Sequence, residues 1–201
     1  IFDRIEAGTF MVAAGITNSK ITINGVTEEH LMPTIEKLKE CGVYCKMENE
    51  KMIVDGTGEK VPVDIKTMPY PGFPTDMQSI FGALLATAKG TSIITENIFE
   101  NRYKYVQELN RMGAKIKVEG RSAIIKGTKR IQGANVVATD LRGGAALVLE
   151  ALTAKGVTEI DNIHYILRGY EKIEEKLKKI GAKIYKNWKK GTDPFFSFLL
   201  F

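Results

Sequence analysis

The chain has 201 residues, 44% of them hydrophobic, which is enough to bury a full core in one or two domains. No window approaches the ~18 apolar residues of a membrane span and no signal-peptide pattern opens the chain, so the sequence predicts a cytoplasmic protein without a membrane partner. A formal charge of +5 raises nucleic acid as a partner, but the excess is spread over lysines on helix faces, and no recognition helix, aromatic-basic strand or zinc-finger spacing accompanies it.

The elements are predicted in chain order as follows. Residues 1–17 read IFDRIEAGTFMVAAGIT, a polar start and a helix of small residues. Residues 20–26 form a strand. Thr27, Glu28, Glu29 and His30 open the next helix with good N-terminal chemistry, and its apolar face is Leu31, Ile35 and Leu38. His30 is an ordinary surface histidine. Residues 46–56 form a hairpin. A segment with three prolines in six residues, Pro69 to Pro74, then makes a stiff extended approach that Tyr70 and Phe73 pack down. It delivers Thr75 or Asp76 to the N-cap of a helix beginning at Met77.

From Asp76 to Gly127 the order is helix, strand, helix, strand, strand, and the same order precedes and follows it. The second helix of each copy ends alike, at Leu38–Gly42, Leu109–Gly113 and Leu177–Gly181, with Gly as the left-handed residue that closes the helix. The turn before the first strand stands at Ser19, Gly90 and Gly156, and the closing Gly follows 23, 23 and 25 residues later. A further Gly ends the last strand 14 residues on in copies one and two, at Gly56 and Gly127. Such spacing marks a repeat. The three copies, approximately 1–56, 73–127 and 134–186, are predicted to cover one another's apolar faces in one globule. Copy three has no last strand, and residues 187–201 form an atypical tail with no assigned function.

Aligning the copies puts Thr75-Asp76 and Thr139-Asp140 at the start of first helices, with Arg102 and Arg168 near the start of second helices. Helix starts carry free N–H groups and a positive dipole end, so three of them could converge on one anionic ligand. N-capping alone accounts for most Asp residues at such positions, whereas an Arg in a first turn opposes the dipole. Leu141-Arg142 raises the same question. The positive charge fits either a basic pocket for a small polyanion or a solvated surface, and composition does not separate them. Cys41 and Cys45 have no His pair nearby and read as buried reduced thiols.

Five blocks, RIEAGTFMVAAGIT, PYPGFPTDMQ, FENRYKYVQELNRMGA, VVATDLRGGAALV and RGYEKIEEKLKKIGA, resemble the UDP-N-acetylglucosamine 1-carboxyvinyltransferases, the enolpyruvyl transferases that begin peptidoglycan synthesis. The resemblance covers residues 1 to about 186. The related shikimate-pathway transferase is a weaker match, lacking the FPTDMQ and RIEAGTF blocks. The resemblance implies an α/β (α+β) fold, an inside-out α/β barrel of three pseudo-symmetric repeats, here with the third repeat incomplete. It implies the C-terminal half of a two-domain enzyme whose active site lies between the halves, and no cofactor or metal. The first half, with its Lys and Cys, is the missing partner. The chain opens at Ile1 in mid-motif and reads as a piece of a longer protein.

By resemblance, Asp76 is the carboxylate at the sugar 3′-hydroxyl, a base or an orienting group, and Ile98 and Phe99 border the UDP-sugar. Arg142 and Arg168 bind the anionic part of phosphoenolpyruvate, Leu141 stands beside them, Asp140 lies near the reacting centre, and Arg102 adds charge. The chain departs from the family pattern at Leu167, where Asp precedes the Arg of Arg-Gly-Tyr-Glu, at His164-Tyr165, whose order is reversed, and at Phe2, where Pro is usual. The rival expectation is a non-catalytic binding or scaffold domain that kept the fold.

Overall fold

Three helices that read as apolar on every side lie at the centre, because each is surrounded by protein rather than by water. The computed structural model describes residues 2–189 and 195–200. Helix α1 (Arg4–Ile16) is capped by Asp3, whose carboxylate accepts from the N–H groups of Ile5 and Glu6 at 2.7 and 3.1 Å. Strand β1 (Lys20–Asn24) follows. The predicted cap at Thr27 is not used: Glu28–His30 is a 3-10 turn without a side-chain cap, and α2 (Met32–Glu40) starts with Pro in its first turn. Leu31, Ile35 and Leu38 are buried as predicted, and His30 is exposed.

Strands β2 (Tyr44–Glu48) and β3 (Lys51–Asp55) make the expected hairpin. Its two-residue turn, Asn49 and Glu50, has both φ angles positive, the geometry that matches the strand twist. After the short β4 (Ile65–Lys66), Phe73 is buried edge-on to Phe81, while Tyr70 stays exposed with the Arg4 guanidinium over its ring. A 3-10 turn (Thr75–Met77) leads into α3 (Gln78–Thr87). Then come β5 (Thr91–Thr95), α4 (Tyr105–Arg111), β6 (Lys115–Glu119) and β7 (Ser122–Lys126). The last part holds β8 (Asn135–Val137), α5 (Leu141–Ala151), β9 (Thr158–Asp161), α6 (His164–Leu167), α7 (Ile173–Lys179), β10 (Ile184–Lys189) and β11 (Phe195–Leu200).

Helices α1, α3 and α5 pack on one another, and three sheets flank them. The second sheet runs β4-β5-β7-β6 and the third β8-β9-β11-β10, each with one parallel pair followed by two antiparallel pairs. The first sheet, β1-β3-β2, has the same order without the parallel strand. Register matches as well: Cys45 lies opposite Val54, Ile116 opposite Ile125, and Ile184 opposite Leu200.

This corrects the reading of the tail. The third sheet does have a strand after β10: β11 pairs with both β9 and β10, and the proposed boundary at 186 falls inside β10. The strand escaped the sequence reading because no Gly follows at the spacing of Gly56 and Gly127. Its run of apolar residues is consistent with the slot it fills, where Phe198 and Leu200 are buried in the common core.

Candidate functional site

The site is built where the start of α5 faces the loop between β5 and α4. Asp140 is the α5 N-cap, its carboxylate accepting from the Gly143 N–H at 2.7 Å. Such a cap contributes about 1 kcal/mol. Asp76 does not cap anything. Its carboxylate accepts from Arg102 at 2.5 Å through Oδ1 and from Arg142 at 3.2 Å through Oδ2. The expectation that capping explains residue 76 therefore fails, since the side chain is turned toward two guanidiniums instead of toward the helix.

Burial alone raises the pKa of Asp76, but the hydrogen bond and charge of Arg102, with those of Arg142, outweigh it and hold the group below the usual carboxylate value. Arg142 itself is mostly buried: its guanidinium carbon stands 5.2 Å from the centre of the Tyr170 ring, and the Tyr170 hydroxyl bonds Thr9 Oγ1 at 2.8 Å. One terminal nitrogen of Arg142, NH1, is buried without a partner among the described residues. A buried donor of that kind is unfavourable until something accepts from it.

Asp76, Phe99, Arg102, Asp140, Leu141 and Arg142 line one cleft of about 600 Å3, joined by Asn101, Lys104 and Thr139. Ile98 lines an adjoining hollow of about 390 Å3 that shares Asp76 and Phe99. Both Ile98 and Phe99 are exposed, with the Arg102 guanidinium stacked 4.9 Å from the Phe99 ring centre. Arg168 is the predicted residue that stands apart. It is exposed at the end of α6, lines neither hollow, and its side chain has no hydrogen bond or ion pair among the described residues. Its neighbour Gly169 packs under Leu141, so its backbone borders the cleft wall. Leu167 is half-buried against the core and offers Arg168 no charge.

Helix starts from different parts of the chain do lie around the two hollows. The 3-10 turn of Asp76 before α3, Lys104 at the start of α4 and Asp140 at the start of α5 line the cleft, and Arg4 and Ile5 at the start of α1 line the adjoining hollow.

Sequence reasoning missed Glu96. This buried carboxylate accepts from Thr67 Oγ1 and the Ile98 N–H, both at 2.8 Å, and from the Phe99 N–H at 3.2 Å, all on Oε1. Its Oε2 accepts from Thr75 Oγ1 at 2.8 Å, and the same Thr75 oxygen accepts from Arg102 at 2.9 Å. One residue thus fixes the Ile98-Phe99 loop and the Asp76–Arg102 pair together. The signal available in the sequence was an acidic residue closing an otherwise neutral strand, TSIITE.

The sequence profile of the family described as EPSP synthase (3-phosphoshikimate 1-carboxyvinyltransferase) matches residues 1–177. The chain belongs to the EPSP synthase family. Among its relatives, UDP-N-acetylglucosamine 1-carboxyvinyltransferase 2 of Clostridium tetani is 57% identical over 186 residues, covering 92% of this chain and 45% of that protein. The UDP-N-acetylglucosamine 1-carboxyvinyltransferase of Desulfofundulus thermocisternus is 58% identical over 184 residues, covering 92% of this chain and 76% of its own. The enolpyruvyl transferase NikO from Streptomyces tendae superimposes with a TM-score of 0.80 at 28% identity, over 90% of this chain and 43% of that one. EPSP synthase from Acinetobacter baumannii, at 15% identity and a TM-score of 0.62, shares the fold. The resemblance to UDP-N-acetylglucosamine 1-carboxyvinyltransferases is borne out, and the family's chemistry is that of a transferase. The chain spans less than half the length of the Clostridium tetani relative.

Proposed function

We propose that this chain is the C-terminal half of an enolpyruvyl transferase, supplying one wall of a cytoplasmic active site that acts on phosphoenolpyruvate and UDP-N-acetylglucosamine. In this reading the fold is an inside-out barrel of three pseudo-symmetric repeats, with helices inside and sheets outside. The equal strand order and register of the second and third sheets support it.

The observation that carries the reading is the pairing of one carboxylate with two guanidiniums, one of which keeps an unused buried donor at a cleft. The sugar 3′-hydroxyl adds to C2 of phosphoenolpyruvate while a proton goes to C3. Phosphate and a C3 proton then leave, restoring the vinyl group on the sugar oxygen. Such chemistry needs a carboxylate at the hydroxyl and cations for phosphate and carboxylate. Asp76 is the carboxylate. While both arginines hold it, its lowered pKa makes it an orienting acceptor and a weak base. An incoming anion that recruits Arg142 through its free nitrogen would draw that charge off Asp76 and make it more basic. A guanidinium suits this because it stays charged and bonds in a fork. Asp140, Leu141 and Arg102 complete the wall, and Ile98 with Phe99 offers an apolar edge for the UDP-sugar. Arg168 reaches the anion only if the partner half or the ligand draws it in.

The other wall, with its acid Cys and Lys, belongs to the partner half, so the isolated chain is inactive. Calorimetry with UDP-N-acetylglucosamine tests the reading, since binding by the chain that Asp76→Ala removes supports it and its absence even with the partner half refutes it. The second reading, a scaffold domain without catalysis, is favoured by one observation: Leu167 leaves Arg168 without an ion pair among the described residues. Sugar binding without turnover in the complemented protein would select it.

A further inference from the structure

Helix α1 buries one polar side chain, Thr9, among apolar residues and glycines. Its hydroxyl meets two oxygens, the Ile5 carbonyl and the Tyr170 hydroxyl, each at 2.8 Å. Thr9 has one proton to give. If it went to Tyr170, the phenol proton would have no acceptor among the described residues, so Thr9 donates to Ile5 and Tyr170 donates to Thr9. Burial pushes the phenol pKa up by more than Arg142 and Thr9 draw it down, which keeps that proton in place.

Tyr170 is fully buried, and Cζ of the Arg142 guanidinium lies over its ring at 5.2 Å from the centre. The frame around this contact is tight. A Cβ on Gly169 would meet Leu141 Cδ1 at 2.5 Å, and one on Gly144 would meet Ile166 Cγ1 at 2.6 Å. The segment from α6 to Tyr170 is thus pressed on the first turn of α5, which carries Arg142. On the other side, Lys176 of α7 bonds Glu6 at 2.6 Å, one turn of α1 before Thr9. Tyr170 is held between α1 and α5.

Arg142 has little else to fix it. Its NH2 donates to Asp76 at 3.2 Å, and NH1 is buried without a partner among the described residues. One long bond leaves the guanidinium plane free to turn, whereas an aromatic face beneath a desolvated cation resists that turn. Neither Tyr170 nor Thr9 lines the cleft or the adjoining hollow, so both act on a ligand there only through Arg142.

We propose that Tyr170 is a positioning residue for anion binding: its hydroxyl, anchored on Thr9, sets the ring, and the ring sets the Arg142 guanidinium so that NH2 reaches Asp76 and NH1 is left for the ligand. A phenylalanine would fill the same core space, so packing alone does not call for the hydroxyl pair. Helix α1 thereby steers a cation of α5 without touching the ligand. The ligand, phosphoenolpyruvate, rests on the transferase reading; the held guanidinium does not.

The test has two arms. In the chain alone, without ligand, NMR follows the Arg142 Nε–Hε signal. Tyr170→Phe and Thr9→Val are expected to speed its exchange with water at least about threefold, and Thr9→Ser to keep the original rate. In the chain complemented by its partner half, calorimetry measures phosphoenolpyruvate with UDP-N-acetylglucosamine present, and the sugar by itself. Tyr170→Phe and Thr9→Val weaken phosphoenolpyruvate binding about three- to tenfold and leave the sugar within about twofold. In an Arg142→Ala background the same changes add nothing. An unchanged Arg142 signal in Tyr170→Phe overturns the positioning role whatever the ligand does. Losses that persist in the Arg142→Ala background, or that fall equally on both ligands, overturn it as a packing defect. If the signal responds but no variant, Arg142→Ala included, alters phosphoenolpyruvate affinity, Tyr170 still positions Arg142 and the transferase assignment fails.

Discussion

Asp76 and Arg142, 66 residues apart, meet at 3.2 Å on the same cleft wall, and Arg142 keeps its other terminal nitrogen buried and unpartnered among the described residues. An anion that bonded that nitrogen would satisfy a buried polar group. Arg142→Ala is therefore predicted to weaken the binding of phosphoenolpyruvate to the complemented enzyme by about 10- to 100-fold, from a charged hydrogen bond of roughly 1.5–3 kcal/mol. UDP-sugar affinity should change far less. Calorimetry with each ligand separately checks this, and equal losses for both would point to a collapsed site.

The lowered pKa of Asp76 has a signed consequence for stability. A carboxyl depressed in the folded state adds stability above its unfolded pKa of about 3.9, and this is lost as pH falls through the folded value. The Asp76 side chain is 37% exposed, so screening limits the effect to at most about 1 kcal/mol. Urea unfolding of the protein and of Asp76→Asn should differ by that amount at pH 7, converge below about pH 4, and differ less in high salt. A gap that widens toward acid would contradict the pairing.

Glu150 gives the opposite sign. It is fully buried with no side-chain partner among the described residues, and burial raises its pKa well above the ordinary value. A group raised in the folded state favours folding at low pH and loses that contribution as pH climbs from its unfolded value toward its folded one. Glu150→Leu is predicted to stabilise the protein at pH 7 by about 1–3 kcal/mol, with a smaller gain near pH 4. Thermal melts at the two pH values measure it.

How much of this was legible beforehand depended on what leaves a periodic trace. The helix ends were readable because closing glycines such as Gly42 and Gly113 have a backbone requirement, φ of +91 and +98, that few residues but Gly tolerate. Asp76 with Asp140 and Arg102 with Arg168 were legible as equivalent positions, and the structure brings Asp76, Arg102 and Asp140 into one cleft with Arg142, leaving Arg168 outside its lining. Burial of the two thiols was legible too: Cys41 and Cys45 are buried and free, their pKa values pushed up by burial to about 11 and about 12. What did not show was pairing across long sequence distance. Nothing near Asp76 says that its oxygens face two arginines, and nothing near Glu96 says that it holds a loop. Strand β11 was missed for a related reason, since its partners β9 and β10 define it and its own letters do not.

Glu96 supplies a sharper test of how the loop is held. Glu96→Ala removes both oxygens, the one that accepts from the Ile98 and Phe99 N–H groups and the one that accepts from Thr75. The predicted result is a loss of about 1–3 kcal/mol in stability and faster amide exchange at Ile98 and Phe99, with strand β6 unaffected. Unchanged exchange at those two amides would show that the loop holds itself.

The central claim is that this chain carries half of an enolpyruvyl transfer site with Asp76 at its working face. The direct measurement is phosphate release from phosphoenolpyruvate and UDP-N-acetylglucosamine by the chain alone, by a complementing first half alone, and by both together. The account predicts no release from either alone, release from the mixture, and its loss in a mixture made with Asp76→Ala. Release by this chain alone, or full turnover with Asp76→Ala, would contradict it.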